Sequence, residues 1–291
     1  MNWIFFTLLA AFSQSWRNAF QSRLSKELNV TGVTLSRFLW ASPLAFIYLA
    51  LLYWLDPVPW PTFTEYSYLF IVGASFMQII ATALMVVLFK QKNFAIGAGL
   101  AKSEAPVAAF LGVLFFGTSL SLLGWAGVAI GAVAVFILSC PDGIKSISLK
   151  TAMIGLGCST SFALTSLWIR EASLTLNLPF PHRAAWILLL VILLQTILLV
   201  GYMLFNDRQT LKAMFVKPRL VVMTSIASFI GSLGWFSAMS LQTVPLVKTL
   251  GQVEVFFTML ISLFWLKEKI KRKDIIALLL IAMAAVLVMW H

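Results

Sequence analysis

The chain has 291 residues, 61% of them hydrophobic and only 11% charged, with a mean hydropathy of +0.96 and a net charge of +11. A soluble domain has a charged share nearer a quarter, so a water-soluble fold is excluded. With two cysteines, Cys140 and Cys158, two histidines, His182 and His291, and no CxxC pair, neither a disulfide framework nor a metal centre is indicated, and no cofactor is expected.

Runs of about 20 apolar residues, the length that crosses a hydrocarbon core of roughly 30 Å, fall at 3–22, 33–54, 66–89, 94–116, 121–139, 151–170, 183–205, 219–240, 245–266 and 272–290. The predicted fold class is therefore all-α integral membrane, with ten transmembrane helices. The opening "MNWIFFTLLAAF" has no basic region of the kind that begins a secretory signal, and it reads as a retained first helix. Helix 1 also carries "SQSWRN", Ser13 to Asn18. Helical spacing puts Ser13 beside Arg17 and Gln14 beside Asn18, on a face that also holds Gln21. An amide in lipid is poorly satisfied, which assigns Gln14 to a cavity. Arg17 either joins it or snorkels to the headgroups.

Helix 2 opens at Arg37 and helix 7 at Arg183, both read as interfacial anchors. Helices 3 and 8 contribute Ser75, Gln78, Thr82, Ser228, Ser232 and Ser237, where small residues favour close packing. Helix 4 contains "AGLAKSEAPVAAF", with Lys102, Glu104 and Pro106 near its middle. A charge there costs roughly 2.5 to 3.5 kcal/mol even on the lenient insertion scale, and such residues are functional by default. Helix 9 places Lys248, Gln252 and Glu254 in the same way. Neither Lys102 with Glu104 nor Lys248 with Glu254 has a spacing that shares a helix face, so each carboxylate needs a partner from another helix. Most tryptophans sit near helix ends as an aromatic belt; Trp16, Trp168 and Trp235 lie further in and are candidates to stack on a substrate.

Fifteen of the 21 Lys and Arg residues fall in alternate loops, after helices 1, 3, 5, 7 and 9, the last reading "KEKIKRK". Under the positive-inside rule those loops are cytoplasmic and both termini lie outside. The basic excess is a topology signal, and no nucleic-acid partner is expected.

Sliding the chain by 150 positions lays "LAKSE" (Leu100 to Glu104) on "LGQVE" (Leu250 to Glu254), so that Glu104 meets Glu254. "SRFLW" (Ser36 to Trp40) likewise resembles "HRAAW" (His182 to Trp186). A repeated five-helix unit inserts its second copy upside down, and the loops agree: Lys90 and Lys92 match uncharged Leu241 to Thr243, while "GTSLSLL" matches "KEKIKRK". The expected organisation is a first repeat at 1–140, a connection at 141–150, and an inverted second repeat at 151–291. Inverted repeats of this kind place a substrate site where the two copies meet.

These features resemble the EamA type of the drug/metabolite transporter superfamily, whose repeats commonly close with a pattern like "LEPVxAxLxxxxLGE". Glu104 and Glu254 fall on its first Glu and Glu268 on its second. "SEAPVAAFLGVLFFG" keeps a proline displaced by one residue; the second copy reads "VEVFF", and Thr118 stands at the closing Glu of the first. The resemblance implies ten helices in two repeats and a transporter of small metabolites, mostly outward.

Membrane-enzyme chemistry lacks its residues, since no HExxH, GxSxG or paired-aspartate pattern is present. The expected function is secondary active transport of a small organic metabolite or drug-like solute by alternating access, as an exporter coupled to protons or to exchange. A lipid flippase or channel-like facilitator of the same fold is the alternative. The candidate substrate or coupling residues are Glu104, Glu254, Lys102, Lys248, Gln14, Arg17, Asn18, Gln252, Trp16, Trp168, Trp235 and Gln78. Glycines Gly97, Gly99 and Gly251 would loosen helices 4 and 9 beside them. The expected setting is a multi-pass position in a bacterial inner (cytoplasmic) membrane, as a monomer or weak homodimer whose partners are the lipid bilayer and a small-molecule substrate.

Overall fold

A computed structural model describes residues 2–90, 103–139, 148–216, 218–261 and 272–290. Every regular element among them is an α-helix: α1 (Asn2–Leu24), α2 (Val30–Ser36), α3 (Ala41–Leu55), α4 (Glu65–Phe89), α5 (Glu104–Phe116), α6 (Leu122–Ser139), α7 (Leu149–Thr175), α8 (His182–Asn206), α9 (Arg208–Val216), α10 (Pro218–Leu241), α11 (Val244–Gly251), α12 (Glu254–Ile261) and α13 (Arg272–Met289). Among the described residues, six segments are long and apolar enough to cross a membrane: Val30–Leu55, Glu65–Phe89, Leu149–Thr175, His182–Asn206, Pro218–Leu241 and Val244–Ile261. Shorter apolar helices occupy Glu104–Phe116, Leu122–Leu138 and Ile275–Met289. α1 has spanning length as well, but its polar residues lower its hydropathy. They are turned inward, with Ser13, Ser15, Arg17 and Gln21 all buried.

Prolines decide where several of these helices start. The second apolar run, expected to be continuous from 33 to 54, is broken into α2 and α3 by a turn over Arg37–Trp40. Pro43 has no N–H to give to the carbonyl four residues back, so it is tolerated only in a first turn. α3 accordingly begins at Ala41. Pro106 and Pro245 hold the same first-turn positions in α5 and α11. Side-chain caps fix other ends. Asn29 accepts from the Gly32 N–H at 2.9 Å, Ser148 from Thr151 at 3.1 Å, and Thr64 and Ser67 form a capping box at the head of α4. The last carbonyls of α10 receive two arginines. Arg170 donates to the Met239 and Gln242 oxygens at 2.8 and 2.6 Å, and Arg183 donates to Ser240 at 2.6 Å. Cations at a helix C-terminus also answer its negative dipole end.

The helices pack in pairs: α1 against α10, α4 against α7, α6 against α13, α3 against α8, and α5 against α11. α1 and α10 approach closely at Gly234, where an added Cβ would lie 2.6 Å from the Phe6 carbonyl oxygen and 2.9 Å from the Ala10 nitrogen. Only glycine lets the two backbones meet there. Large apolar side chains such as Phe5, Trp54, Leu55, Leu122, Ile197 and Phe205 point outward, as a lipid-facing surface requires. α9 is an element that the hydropathy pattern does not announce, a short basic helix whose Met214 is buried against its neighbours while Phe215 and Val216 stay exposed.

Candidate functional site

The packed pairs enclose polar groups that apolar helices would not otherwise bury. α5 begins at Glu104. α11 ends at Gly251, and α12 begins at Glu254 after a turn in which Gln252, Val253, Val255 and Phe256 bond three residues back instead of four. Each glutamate is therefore the first residue of a helix, where the exposed N–H groups and the helix dipole favour a carboxylate.

Glu104 is paired from another helix, by Lys248 of α11. Lys248 Nζ lies 2.9 Å from Glu104 Oε1, and Ser166 of α7 donates to the same oxygen at 2.7 Å. The Lys248 ammonium also sits 4.1 Å from the ring centre of Trp235, a separation at which cation and ring attract. On its edge, Trp235 donates from Nε1 to Gln14 Oε1 at 2.8 Å. Gln14 Nε2 donates in turn to Glu254 Oε2 at 2.5 Å, and Asn18 Nδ2 donates to Glu254 Oε1 at 2.7 Å. Arg17 Nη2 closes the series on Asn18 Oδ1 at 2.9 Å. One continuous string of polar contacts thus connects Glu104 and Glu254.

The directions of these bonds are fixed by the residue types. An indole N–H and a guanidinium can only donate. Gln14 must therefore show its oxygen to Trp235 and its NH2 to Glu254, and Asn18 must show its oxygen to Arg17 and its NH2 to Glu254. Glu254 receives two donors, a pattern that suits its carboxylate form.

Beside the string lies a cavity of about 40 Å³, lined among others by Gln14, Arg17, Arg37, Gln78, Glu104 and Lys248. One water needs roughly 10 to 15 Å³ on such a measure, so the space admits a few waters and must widen to admit an organic solute. Phe162, Ile169, Trp235, Phe236 and Met239 supply its apolar walls.

Gln14, Arg17, Asn18, Gln78, Trp235, Lys248, Glu104 and Glu254 are thus drawn together, Gln78 as part of the cavity wall, where it accepts from Gln195 at 2.7 Å. Arg17 is 1% exposed and faces the cavity rather than the headgroups. Trp16, Trp168 and Gln252 stand apart from the cavity lining. Trp16 lies against Phe20, Trp168 against Gly73, and Gln252 against Gly131. Lys102, Gly97 and Gly99 lie outside the described residues.

Arg37 corrects the reading of it as an interfacial anchor. It is 2% exposed, donates to Thr82 Oγ1 at 2.8 Å, and has its guanidinium carbon 5.3 and 5.9 Å from the ring centres of Phe38 and Phe162. The turn before Pro43 carries it inward. Arg183, which the sequence comparison pairs with Arg37, is instead spent on the end of α10. Ser166 was also missed, and an isolated serine in an apolar helix gives no signal of its partner.

Comparison with known proteins agrees with this architecture. Residues 149–290 match the EamA-like transporter family. A crystal structure 15% identical in sequence superposes with a TM-score of 0.68 over 98% of this chain and 98% of its own, a likeness of fold. No curated protein sequence matches.

Proposed function

On the match of residues 149–290 to the EamA-like transporter family, we propose that the chain is a member of that family and a secondary active transporter that moves a small organic solute by alternating access, as an exporter coupled to protons or to exchange. Membership implies a multi-pass integral membrane protein that transports small solutes. We extend it to ten spans in two inverted five-helix repeats, 1–140 and 151–291. The reading is supported by the way α1 with α10 and α4 with α7 pack as counterparts, and by the fall of Glu104 and Glu254 at matching helix starts.

The observation that carries the proposal is the string from Glu104 through Lys248, Trp235 and Gln14 to Glu254. It ties α1 and α10 to α11 and α12. Glu254 receives two donors from α1, neither of which can reverse without breaking a bond to Trp235 or Arg17. A proton arriving on Glu254 would face one of those NH2 groups with an O–H, donor against donor, and would loosen α1 from α12. Protonation would thereby favour a second arrangement of the helices, in the manner of a two-state element biased by a ligand. Glu104, held by Lys248, is assigned to substrate contact or structure, and Glu254 to coupling. Among the described residues, Arg17 and Lys248 are charged groups near Glu254.

The test uses proteoliposomes that contain a pH-sensitive dye and are exposed to a panel of labelled amino acids, carboxylic acids and amines. The wild type should show counterflow of at least one solute and proton movement that depends on it. Glu254→Gln should retain counterflow at equal pH and lose proton-driven accumulation. If no solute on the panel counterflows, the transporter reading fails; if Glu254→Gln accumulates solute at the wild-type rate, coupling through Glu254 fails.

A further inference from the structure

Among the described residues, the charges around the cavity do not balance. Of these residues three cations, Arg17, Arg37 and Lys248, face or adjoin it, against two carboxylates, Glu104 and Glu254. Lys248 is satisfied by Glu104. The guanidiniums are not satisfied in that way, since the partners they hold through hydrogen bonds are neutral: Asn18 for Arg17 and Thr82 for Arg37. Both are buried to within 2%. Arg17 keeps Nε and Nη1, and Arg37 keeps Nε, without a hydrogen-bond partner. Both line the same cavity; Glu254 and Glu104 lie in range of Arg17, and Glu104 in range of Arg37, but neither carboxylate is bonded to a guanidinium.

Buried donors left unmade cost roughly 1 to 3 kcal/mol each and more when charged, and an unpaired buried ion is dearer still. A protein does not hold two such groups side by side in an apolar wall for packing. Placed at a cavity, they form a site that an anion would complete in charge as well as in hydrogen bonds. A guanidinium offers a planar fork that matches the two oxygens of a carboxylate or the oxygens of a phosphate. Beside neutral polar groups such as Thr165 and Ser232, the wall includes Phe162, Ile169, Trp235, Phe236 and Met239, which suit an apolar body.

We propose that the transported solute is an organic anion, whose carboxylate or phosphate oxygens are held between Arg17 and Arg37 while its apolar part lies against Phe162 and Trp235. The proposal rests on the transporter reading above and gives it a substrate class. Glu104 and Lys248 are already occupied with each other, so the charge left to receive the solute is that of the two arginines.

The experiment compares matched acid and amide probes on the purified full chain: benzoate, phenylacetate and phenyl phosphate against benzamide and phenylacetamide, with sodium chloride and inorganic phosphate as controls. Thermal stabilisation and counterflow are both read. The acids should stabilise the wild type at concentrations at which the amides do nothing. Loss of one charge-assisted contact should weaken acid binding in Arg37→Gln and Arg17→Gln by about ten-fold or more. Arg37→Lys, which keeps the charge but not the fork, should fall between. The acid and amide comparison needs no variant, so it decides the matter even if a variant fails to fold. Equal binding of acids and amides, wild-type acid affinity in both folded glutamine variants, or stabilisation by the inorganic anions alone would overturn the proposal. If amines or amides counterflow while acids do not, the transporter reading stands and the anion assignment falls; if nothing counterflows, the transporter reading falls first.

Discussion

Replacing Glu104 by Gln keeps the shape of the side chain and removes its charge, leaving Lys248 as a buried cation without a counter-ion. At the observed 2.9 Å the gross attraction is about 6 kcal/mol for an effective dielectric constant of 20, most of it offset by the desolvation of both ions. Breaking one side of a buried pair typically costs about 3 to 5 kcal/mol. The Glu104 side chain is 16% exposed, and the glutamine oxygen still accepts from Ser166, so the expected loss is at the lower edge, about 2 to 3 kcal/mol. A chain of this size loses roughly 2 to 4 °C of melting temperature per kcal/mol, which gives a fall of about 4 to 12 °C, measurable by following thermal unfolding in detergent. Lys248→Met supplies the second corner of a double-mutant cycle. The double variant should be more stable than the two single losses predict, by about 1 to 3 kcal/mol. A Glu104→Gln protein that melts within about 1 °C of wild type, or strict additivity in the cycle, would show that the pair does not hold these helices together.

An added methyl at Gly251 would collide with Cη2 of Trp235 and approach its Cζ3 to 2.9 Å; Gly251→Ala should therefore lower stability by about 1 to 3 kcal/mol and much less in a Trp235→Phe background, and an equal loss in both backgrounds would place the strain elsewhere. Asp207, exposed at the head of α9, is held below the usual carboxylate range by hydrogen bonds from the Thr210 side chain and backbone and from Asn29. Its folded pKa is depressed, so its contribution to stability is present above the unfolded value near 3.9 and is lost as pH falls through the folded one. Wild-type and Asp207→Asn melting curves should differ at neutral pH and converge in acid, and a constant gap would remove the charge from the explanation. A reporter that fluoresces only in the cytoplasm, fused after His291, should stay dark while an impermeant thiol reagent labels an added carboxyl-terminal cysteine from outside; a bright fusion with blocked labelling would overturn the orientation read from Lys and Arg.

Much of the architecture was legible because membrane helices announce themselves. Lipid forces backbone polar groups to be satisfied within each segment, so apolar runs of fixed length mark the helices. Glu104 and Glu254 were visible for the complementary reason: a carboxylate inside such a run is too costly to be accidental. The periodicity of helix 1 likewise put Gln14, Arg17 and Asn18 on one side. Short elements escaped. α9 has nine residues, fewer than any spanning signal, and reads as a basic loop.

What the sequence determined by itself was the solvent, the helix runs and the residues too polar for lipid. Only the tertiary structure decided which of them meet. That Lys248 answers Glu104, that Trp235 fixes the orientation of Gln14, and that Arg37 turns into the cavity while Arg183 caps α10 all depend on contacts between helices far apart in the chain. Spacing along one helix constrains its own face, but the partner of a buried charge is chosen by whichever neighbouring helix the packing brings within about 3 Å.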